Sequence, residues 1–121
     1  MPRRYATFVL AAILASAAFG ARAQNHIVVT KTLVSNSAHR ECLSANDRQV
    51  LHFWYRAEGP LEFDIQFIKG EDMTYPVRQH NQAVGSGTFT PKEAGDYCMV
   101  WTNLSKQPVL FRFELAKLAR Q

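Results

Sequence analysis

Alternation of apolar and polar residues is the feature that most constrains the fold of this chain. It is clearest in Leu61–Phe67, where four apolar residues alternate with Glu62, Asp64 and Gln66. A period of two is typical of a β-strand with one face on a hydrophobic core and the other in water. Similar alternation recurs at 27–34, 50–57, 96–102 and 109–115. The pattern predicts an all-β fold, an antiparallel β-sandwich of about seven to eight short strands.

Glycine, proline and polar residues between these runs predict where the chain turns. Glu58-Gly59-Pro60 is predicted to be the turn of a hairpin formed by the alternating runs on either side of it. The polar, glycine-containing stretch 81–87 predicts a loop. Met73–Arg78 is predicted to be a short strand, which Pro76 would confine to a sheet edge. The last residues, 116–121, are predicted to be weakly helical.

The first residues predict export. Arg3 and Arg4 precede an uncharged, alanine-rich stretch at 5–20, and Ala21-Arg22-Ala23 has the small-x-small pattern of a cleavage site. The sequence therefore predicts a signal peptide at 1–23. A retained membrane anchor is the alternative, but the stretch is shorter than the about 20 apolar residues that a membrane-spanning helix needs.

Removal of the leader changes the charge balance of the chain. The whole chain has 14 Lys and Arg residues and 10 Asp and Glu residues; three arginines lie in the leader, so 14 less 3 leaves 11 against 10. A net charge of about +1 with interspersed signs argues against a nucleic-acid surface, which needs clustered cations. Residues 24–121 are predicted to form one domain, soluble and without a membrane span, in the periplasm or outside a bacterium, or in the lumen or outside a eukaryotic cell.

The two cysteines, Cys42 and Cys98, are predicted to form a disulfide. An exported domain of this size meets an oxidising compartment, and closing so long a loop stabilises the fold by about 4 kcal/mol. A nucleophilic Cys98 is a weaker alternative, because it lies mid-strand and lacks a nucleophile motif. His39 and Cys42 have H-x-x-C spacing, but a second pair of metal ligands is missing, so no metal site is predicted.

No residue grouping predicts an enzyme or a bound cofactor. Glu62 and Asp64 lie two apart on one strand face, where two carboxylates could act as acid and base, but they also fit the solvent side of an alternating strand. The sequence contains no nucleophile elbow, phosphate loop or dinucleotide fingerprint.

Three residues are predicted to contact a partner, and one to carry a glycan. His52 and Trp54 lie on the strand face opposite Phe53, and Tyr75 lies in the predicted edge strand. Asn103 begins an Asn-Leu-Ser sequon in a predicted exposed loop, which makes it a possible N-glycosylation site.

In order and spacing, the landmarks at 27–115 resemble the GOLD (Golgi dynamics) domain. The matching segments are His39–Leu43, Ala57–Ile65, Gly87–Thr90, Gly95–Tyr97, Trp101–Asn103 and Val109–Leu115. In the lumenal part of TMED-type cargo receptors, this domain is a protein-binding β-sandwich; it also occurs in some lipid-transfer proteins. The receptors have their second cysteine at the position of Val100 here, which shares a strand face with Cys98.

Together these features predict an exported, soluble, non-catalytic GOLD-like adaptor that binds a protein partner through a sheet face or an edge strand. Two alternatives stay open. One is a carrier of a small apolar ligand or lipid between the sheets, and the other is a lumenal cargo-binding protein of the secretory pathway. The sequence does not specify the oligomeric state.

Overall fold

The computed structural model describes residues 26–120, which form six antiparallel strands and no helix. The predicted signal peptide lies outside the described residues. Among the residues that are described, no helix is long and apolar enough to cross a membrane. The strands are β1 (His26–Leu33), β2 (Ala38–Ala45), β3 (Gln49–Lys69), β4 (Asp72–Phe89), β5 (Gly95–Thr102) and β6 (Val109–Ala119).

The long strand β3 organises the sheet, because it belongs to two layers. Along one edge it pairs first with β6, through residues 49–57, and then with β5, through residues 62–68. Along its other edge it pairs with β4 over both stretches. Layer A therefore contains β1, β6, the first half of β3 and the second half of β4. Layer B contains β2, β5, the second half of β3 and the first half of β4.

The prediction of an all-β antiparallel fold is confirmed, but the strands are fewer and longer than expected. The predicted hairpin at Glu58–Pro60 is wrong: β3 runs through these residues without a turn. The pairing with β6 stops at Ala57 and the pairing with β5 starts at Glu62, so Gly59 and Pro60 lie where β3 changes neighbours and its register shifts. A proline costs no ladder hydrogen bond at such a gap.

The predicted loop at 81–87 is also wrong, because these residues are part of β4. Gly85 and Gly87 lie opposite Tyr55 and Phe53, on the inner face of layer A. A Cβ atom at Gly85 would overlap the Tyr55 ring, and one at Gly87 would lie 2.7 Å from Phe53 Cζ. Glycine is therefore required here because aromatic rings cover the backbone, not because the chain turns.

Two further expectations concern strand ends. The predicted edge strand Met73–Arg78 is part of β4, which in the described residues pairs with β3 alone. The chain from 116 to 119 continues β6 and is not helical. Its pairing with β3 extends to Ala119, opposite Gln49, and this ladder overrides the weak local helix preference.

Aromatic rings fill the space between the two layers. Trp101 of β5 is fully buried and stacks on Phe113 of layer A, with ring centroids 4.1 Å apart, and on Phe63 at 5.1 Å. Tyr55 packs against the same cluster and donates a hydrogen bond from its hydroxyl to Gln79 Oε1, at 2.8 Å. Burial, and secondarily the charge of Glu62, raises the pKa of Tyr55 to about 12, so its hydroxyl remains a neutral donor.

The predicted loop between β5 and β6 is present and largely exposed, but its first residue, Asn103, is fully buried. Its Nδ2 atom donates to the carbonyls of Leu33, at 2.9 Å, and Gln107, at 2.8 Å. Its Oδ1 atom accepts from the backbone N–H of Ser105, at 2.9 Å. A glycan on Nδ2 would replace one of these donors and would need space that the buried site lacks. The fold therefore does not favour a glycan at Asn103, and glycosylation at this position stays a prediction.

Replacing Asn103 with alanine is expected to lower the free energy of unfolding by about 2–3 kcal/mol, because the buried Leu33 carbonyl would lose its side-chain donor and the Ser105 N–H its acceptor. Urea denaturation followed by far-UV circular dichroism measures the change. The matched control is Leu104→Ala, whose side chain is 64% exposed and should change stability little. Equal effects of the two substitutions would contradict a structural role for the amide.

Candidate functional site

The outer face of layer A carries the residues best suited to contact a partner. Trp54 on β3 lies between Glu114 on β6 and Ser86 on β4, and His52 lies between Ala116 and Thr88. We call this surface the Trp54 face. Its outward side chains alternate along each strand with inward-facing residues; they include His26, Val28, Thr30, His52, Trp54, Arg56, Val84, Ser86, Thr88, Leu110, Arg112, Glu114, Ala116 and Leu118.

Exposed apolar side chains concentrate on the Trp54 face. Nine large hydrophobic residues of the described chain are exposed, and five of them lie here: Val28, Trp54, Val84, Leu110 and Leu118. Single exposed apolar residues are ordinary, but a group of them on one rigid surface is typical of an interaction site.

The Trp54 indole forms a ridge between two shallow hollows. One has a volume of about 380 Å³; its lining combines polar residues, such as His52, Thr88 and Glu114, with the apolar Phe53 and Ala116. The other has a volume of about 250 Å³ and is lined by Thr30, Arg56, Glu58, Leu110 and Arg112, among others. Tryptophan and arginine dominate the energetics of many protein interfaces, so this arrangement favours recognition of a second protein.

Charges on the Trp54 face are mixed. Arg56 and Arg112 lie directly opposite each other on β3 and β6, and Arg112 Nη2 lies 3.2 Å from Glu114 Oε1. His52 Nδ1 lies 3.3 Å from the Thr88 hydroxyl. An exposed ion pair of this kind contributes little to folding, so its members can exchange partners on binding at low cost.

Tyr75, the third residue predicted to bind, lies on the first half of β4 in layer B, away from the Trp54 face. The guanidinium carbon of Arg78 lies 3.8 Å from the centre of its ring, and Arg78 Nε lies 3.6 Å from Asp64 Oδ1. The structure thus brings His52 and Trp54 together and places Tyr75 in a separate cation–π contact.

Cys42 and Cys98 form a disulfide, as predicted, on the outer face of layer B. The two residues lie directly opposite each other on β2 and β5. Cys98 is buried, whereas Cys42 is exposed. The Arg40 guanidinium lies over the bridge, with Nε 3.3 Å from Cys42 Sγ and Nη2 3.3 Å from Cys98 Sγ.

The H-x-x-C pair does not form one site. His39 and Cys42 lie three residues apart on β2 and therefore point to opposite faces. His39 points inward, with its ring centre 5.4 Å from that of Phe113 and its Nε2 2.9 Å from Glu41 Oε1. Residues 26–120 contain no group of three or more His, Cys, Asp or Glu side chains that could hold a metal ion.

The two carboxylates weighed as an acid–base pair are engaged with β4. Glu62 shares a hydrogen bond with His80 Nδ1 and accepts another from the Asn81 backbone N–H, while Asp64 pairs with Arg78. These contacts join β3 to β4, and they agree with the solvent-face interpretation of the alternating strand.

A small apolar ligand, as the carrier function would require, has little room between the layers, because stacked aromatic rings occupy that space. One hollow of about 370 Å³ opens near the β3–β4 turn, where Phe67, Phe89 and Tyr97 meet. Phe67 and Tyr97 already stack there, with ring centres 4.7 Å apart. Because these rings already pack on each other, the hollow is less suitable for binding a partner or ligand than the Trp54 face.

Comparison with solved structures identifies a protein with a similar fold. The chain is similar to the crystal structure of Aeromonas hydrophila PliG, a periplasmic lysozyme inhibitor of g-type lysozyme. The TM-score is 0.57, with 11% sequence identity over 77% of this chain and 86% of that chain. The two proteins share a fold. Another similar structure, the solution structure of a de novo designed double-stranded β-helix, has a TM-score of 0.40 and 19% identity over 75% of this chain and 97% of that chain.

The sequence matches no model of a known protein family, and no curated protein matches it. The resemblance to the GOLD domain therefore stays a prediction.

Sequence reasoning found two residues of the Trp54 face and missed the others. The outward orientation of His52 and Trp54 is predicted by the alternation of side chains along a strand alone. Ser86 was missed because the two glycines beside it favoured a loop at 81–87, and Thr88 was expected in a brief strand that had no assigned neighbour. Glu114 and Arg112 lie on the polar side of the predicted strand 109–115, but only the sheet order places them beside Trp54.

Proposed function

We propose that this chain is an exported, non-catalytic protein-binding module that contacts its partner through the Trp54 face. The observation that carries the proposal is the placement of Trp54, a 36% exposed indole between two hollows on a four-stranded layer. The predicted signal peptide and the disulfide support an exported location.

The shape and chemistry of the face favour a protein partner over a small ligand. Small-molecule sites are concave and enclose most of their ligand, whereas the hollows beside Trp54 are shallow and open. The mixture of exposed apolar side chains, arginines and hydroxyl groups resembles the composition of protein interfaces. A backbone fixed in a sheet also loses little conformational entropy on binding.

For the partner class, we propose an enzyme that cleaves the bacterial cell wall, starting with g-type lysozyme. The support is the fold shared with PliG, whose name describes an inhibitor of that enzyme. An inhibitor needs no catalytic groups of its own, which agrees with a sequence that contains no catalytic motif. Binding would be measured by biolayer interferometry against immobilised g-type and c-type lysozymes, alongside a cell-wall lysis assay.

Trp54→Ala is expected to weaken binding to the lysozyme at least about tenfold, because removal of an interface tryptophan commonly costs 2 kcal/mol or more. The matched control is Tyr75→Ala, an exposed aromatic on layer B that should leave affinity within about twofold. Circular dichroism would confirm that both variants are folded.

Two results would count against the proposal in different ways. Absence of binding to every lysozyme type would reject the partner class. A partner that bound the wild type and Trp54→Ala equally would instead reject the Trp54 face as the contact surface.

A further inference from the structure

The outer edge of β4 is protected along its first half and bare along its second half. In the first half, Pro76 removes a backbone donor, Arg78 adds charge, and an irregularity in the pairing at 79–82 includes Asn81 with φ of 53°. Such features are the usual means by which proteins prevent edge strands from pairing with other chains. From Asn81 to Pro91, by contrast, the sequence contains no charged residue.

The other two sheet edges of the described chain carry charged residues, Lys31 on β1 and Arg40 and Glu41 on β2. Side chains of β1 and β2 meet at one point, where Lys31 Nζ lies 3.4 Å from His39 Nδ1. The turn between them is fixed by a hydrogen bond from the Asn36 N–H to the Asn103 carbonyl, at 2.8 Å. The second half of β4 is thus the longest uncharged edge that lacks a neighbour within residues 26–120.

We propose that two copies of this protein pair antiparallel through the second half of β4, about a twofold axis at Ser86. The uncharged run lies between His80 and Lys92, and Ser86 is its central residue. In this register Val84 faces Thr88 of the second copy, and no like charges meet within the paired segment. The surface is complementary to itself, as a twofold interface requires. A second copy is therefore the occupant that the sequence of this edge fits.

Registers centred elsewhere on β4 are less favourable. Centring the pair on Tyr75 would place Pro76 inside the ladder, where its missing N–H would cost a hydrogen bond. Centring it on Gln79 or His80 would place the pairing irregularity at the axis. Only a register near Ser86 leaves a straight, proline-free strand on both sides of the axis.

Pairing in this register joins the two A layers into one sheet of eight strands. Since Ser86 is the neighbour of Trp54, the two indoles would lie on the same side, three strand spacings or about 14 Å apart. Two short strand edges bury less area than the about 1,200 Å² of a standard stable interface. The dimer is therefore weak, with a dissociation constant of about 10–100 µM.

Sedimentation velocity from about 5 to about 500 µM, a range that spans this dissociation constant, tests the proposal without any other partner. The wild type is expected to shift from monomer to dimer as concentration rises. Ser86→Lys and Ser86→Glu each place like charges face to face at the axis and are expected to raise the dissociation constant at least about tenfold. An equimolar mixture of the two variants should restore the dimer, because Lys then faces Glu. Thr30→Lys, on the outer side of β1, is the matched control and should dimerise like the wild type.

A wild type that stays monomeric at the highest concentration overturns the proposal. So does dimerisation of both Ser86 variants alone, or a mixture of the two folded variants that stays monomeric. Loss of the dimer in Thr30→Lys would place the interface at β1 instead. None of these readouts depends on lysozyme, so this inference and the proposed function can fail separately.

Discussion

Trp101→Ala is expected to lower the free energy of unfolding by about 3–5 kcal/mol. Trp101 is fully buried between the layers and contacts Phe63 and Phe113 face to face, so its removal leaves a cavity that both layers line. Chemical denaturation with urea, followed by far-UV circular dichroism, measures the loss. For a domain of this size it is a large share of the total stability.

Trp101→Phe is the matched control for this effect. It keeps an aromatic ring in the cluster and removes an indole Nε1–H that has no hydrogen-bond partner among the described residues. The phenylalanine variant should therefore lose less than half as much stability as the alanine variant. Similar losses in the two variants would show that stacking between the layers is not what Trp101 contributes.

Loss of the Cys42–Cys98 disulfide is expected to destabilise the chain by about 4 kcal/mol, because the bridge closes a loop across a sequence separation of 56 residues. The melting temperature should fall by about 15 °C or more for a domain of this length. Differential scanning fluorimetry of the oxidised protein, with and without a dithiol reductant, measures the change.

The double variant Cys42→Ser/Cys98→Ser separates loss of the bridge from other effects of the reductant. Its melting temperature should match that of the reduced wild type and should not respond to the dithiol. If the reductant lowered the melting temperature of the variant as well, the shift would not report on the disulfide.

Strand parity predicted much of the core from the sequence. The alternating run 61–67 places Phe63 and Ile65 inward, and both are fully buried in the structure. The same holds for Tyr97, Met99 and Trp101 on β5. These assignments succeed because a strand with one buried face imposes a period of two on its own residues, whatever its neighbours are.

The errors have a common physical origin in contacts between distant segments. Gly59 and Pro60 indicated a turn locally, yet they mark a change of neighbours along a continuous strand. The sequon at Asn103 indicated an exposed side chain, yet carbonyls from Leu33 and Gln107 hold its amide in the interior while the rest of the loop is at the surface. In both cases the deciding partner lies elsewhere in the chain, where a local pattern carries no information about it.

The sharing of β3 and β4 between both layers has a consequence for how the molecule moves. In a sandwich made of two independent sheets, one sheet can slide over the other. Here such a shear would have to break backbone hydrogen bonds along two strands that run continuously through both layers. Opening motions are thereby restricted to the strands that have a single ladder, which are β1, β2 and β4. The central strands are therefore rigid, and a protein that binds to them meets a surface whose shape is already formed.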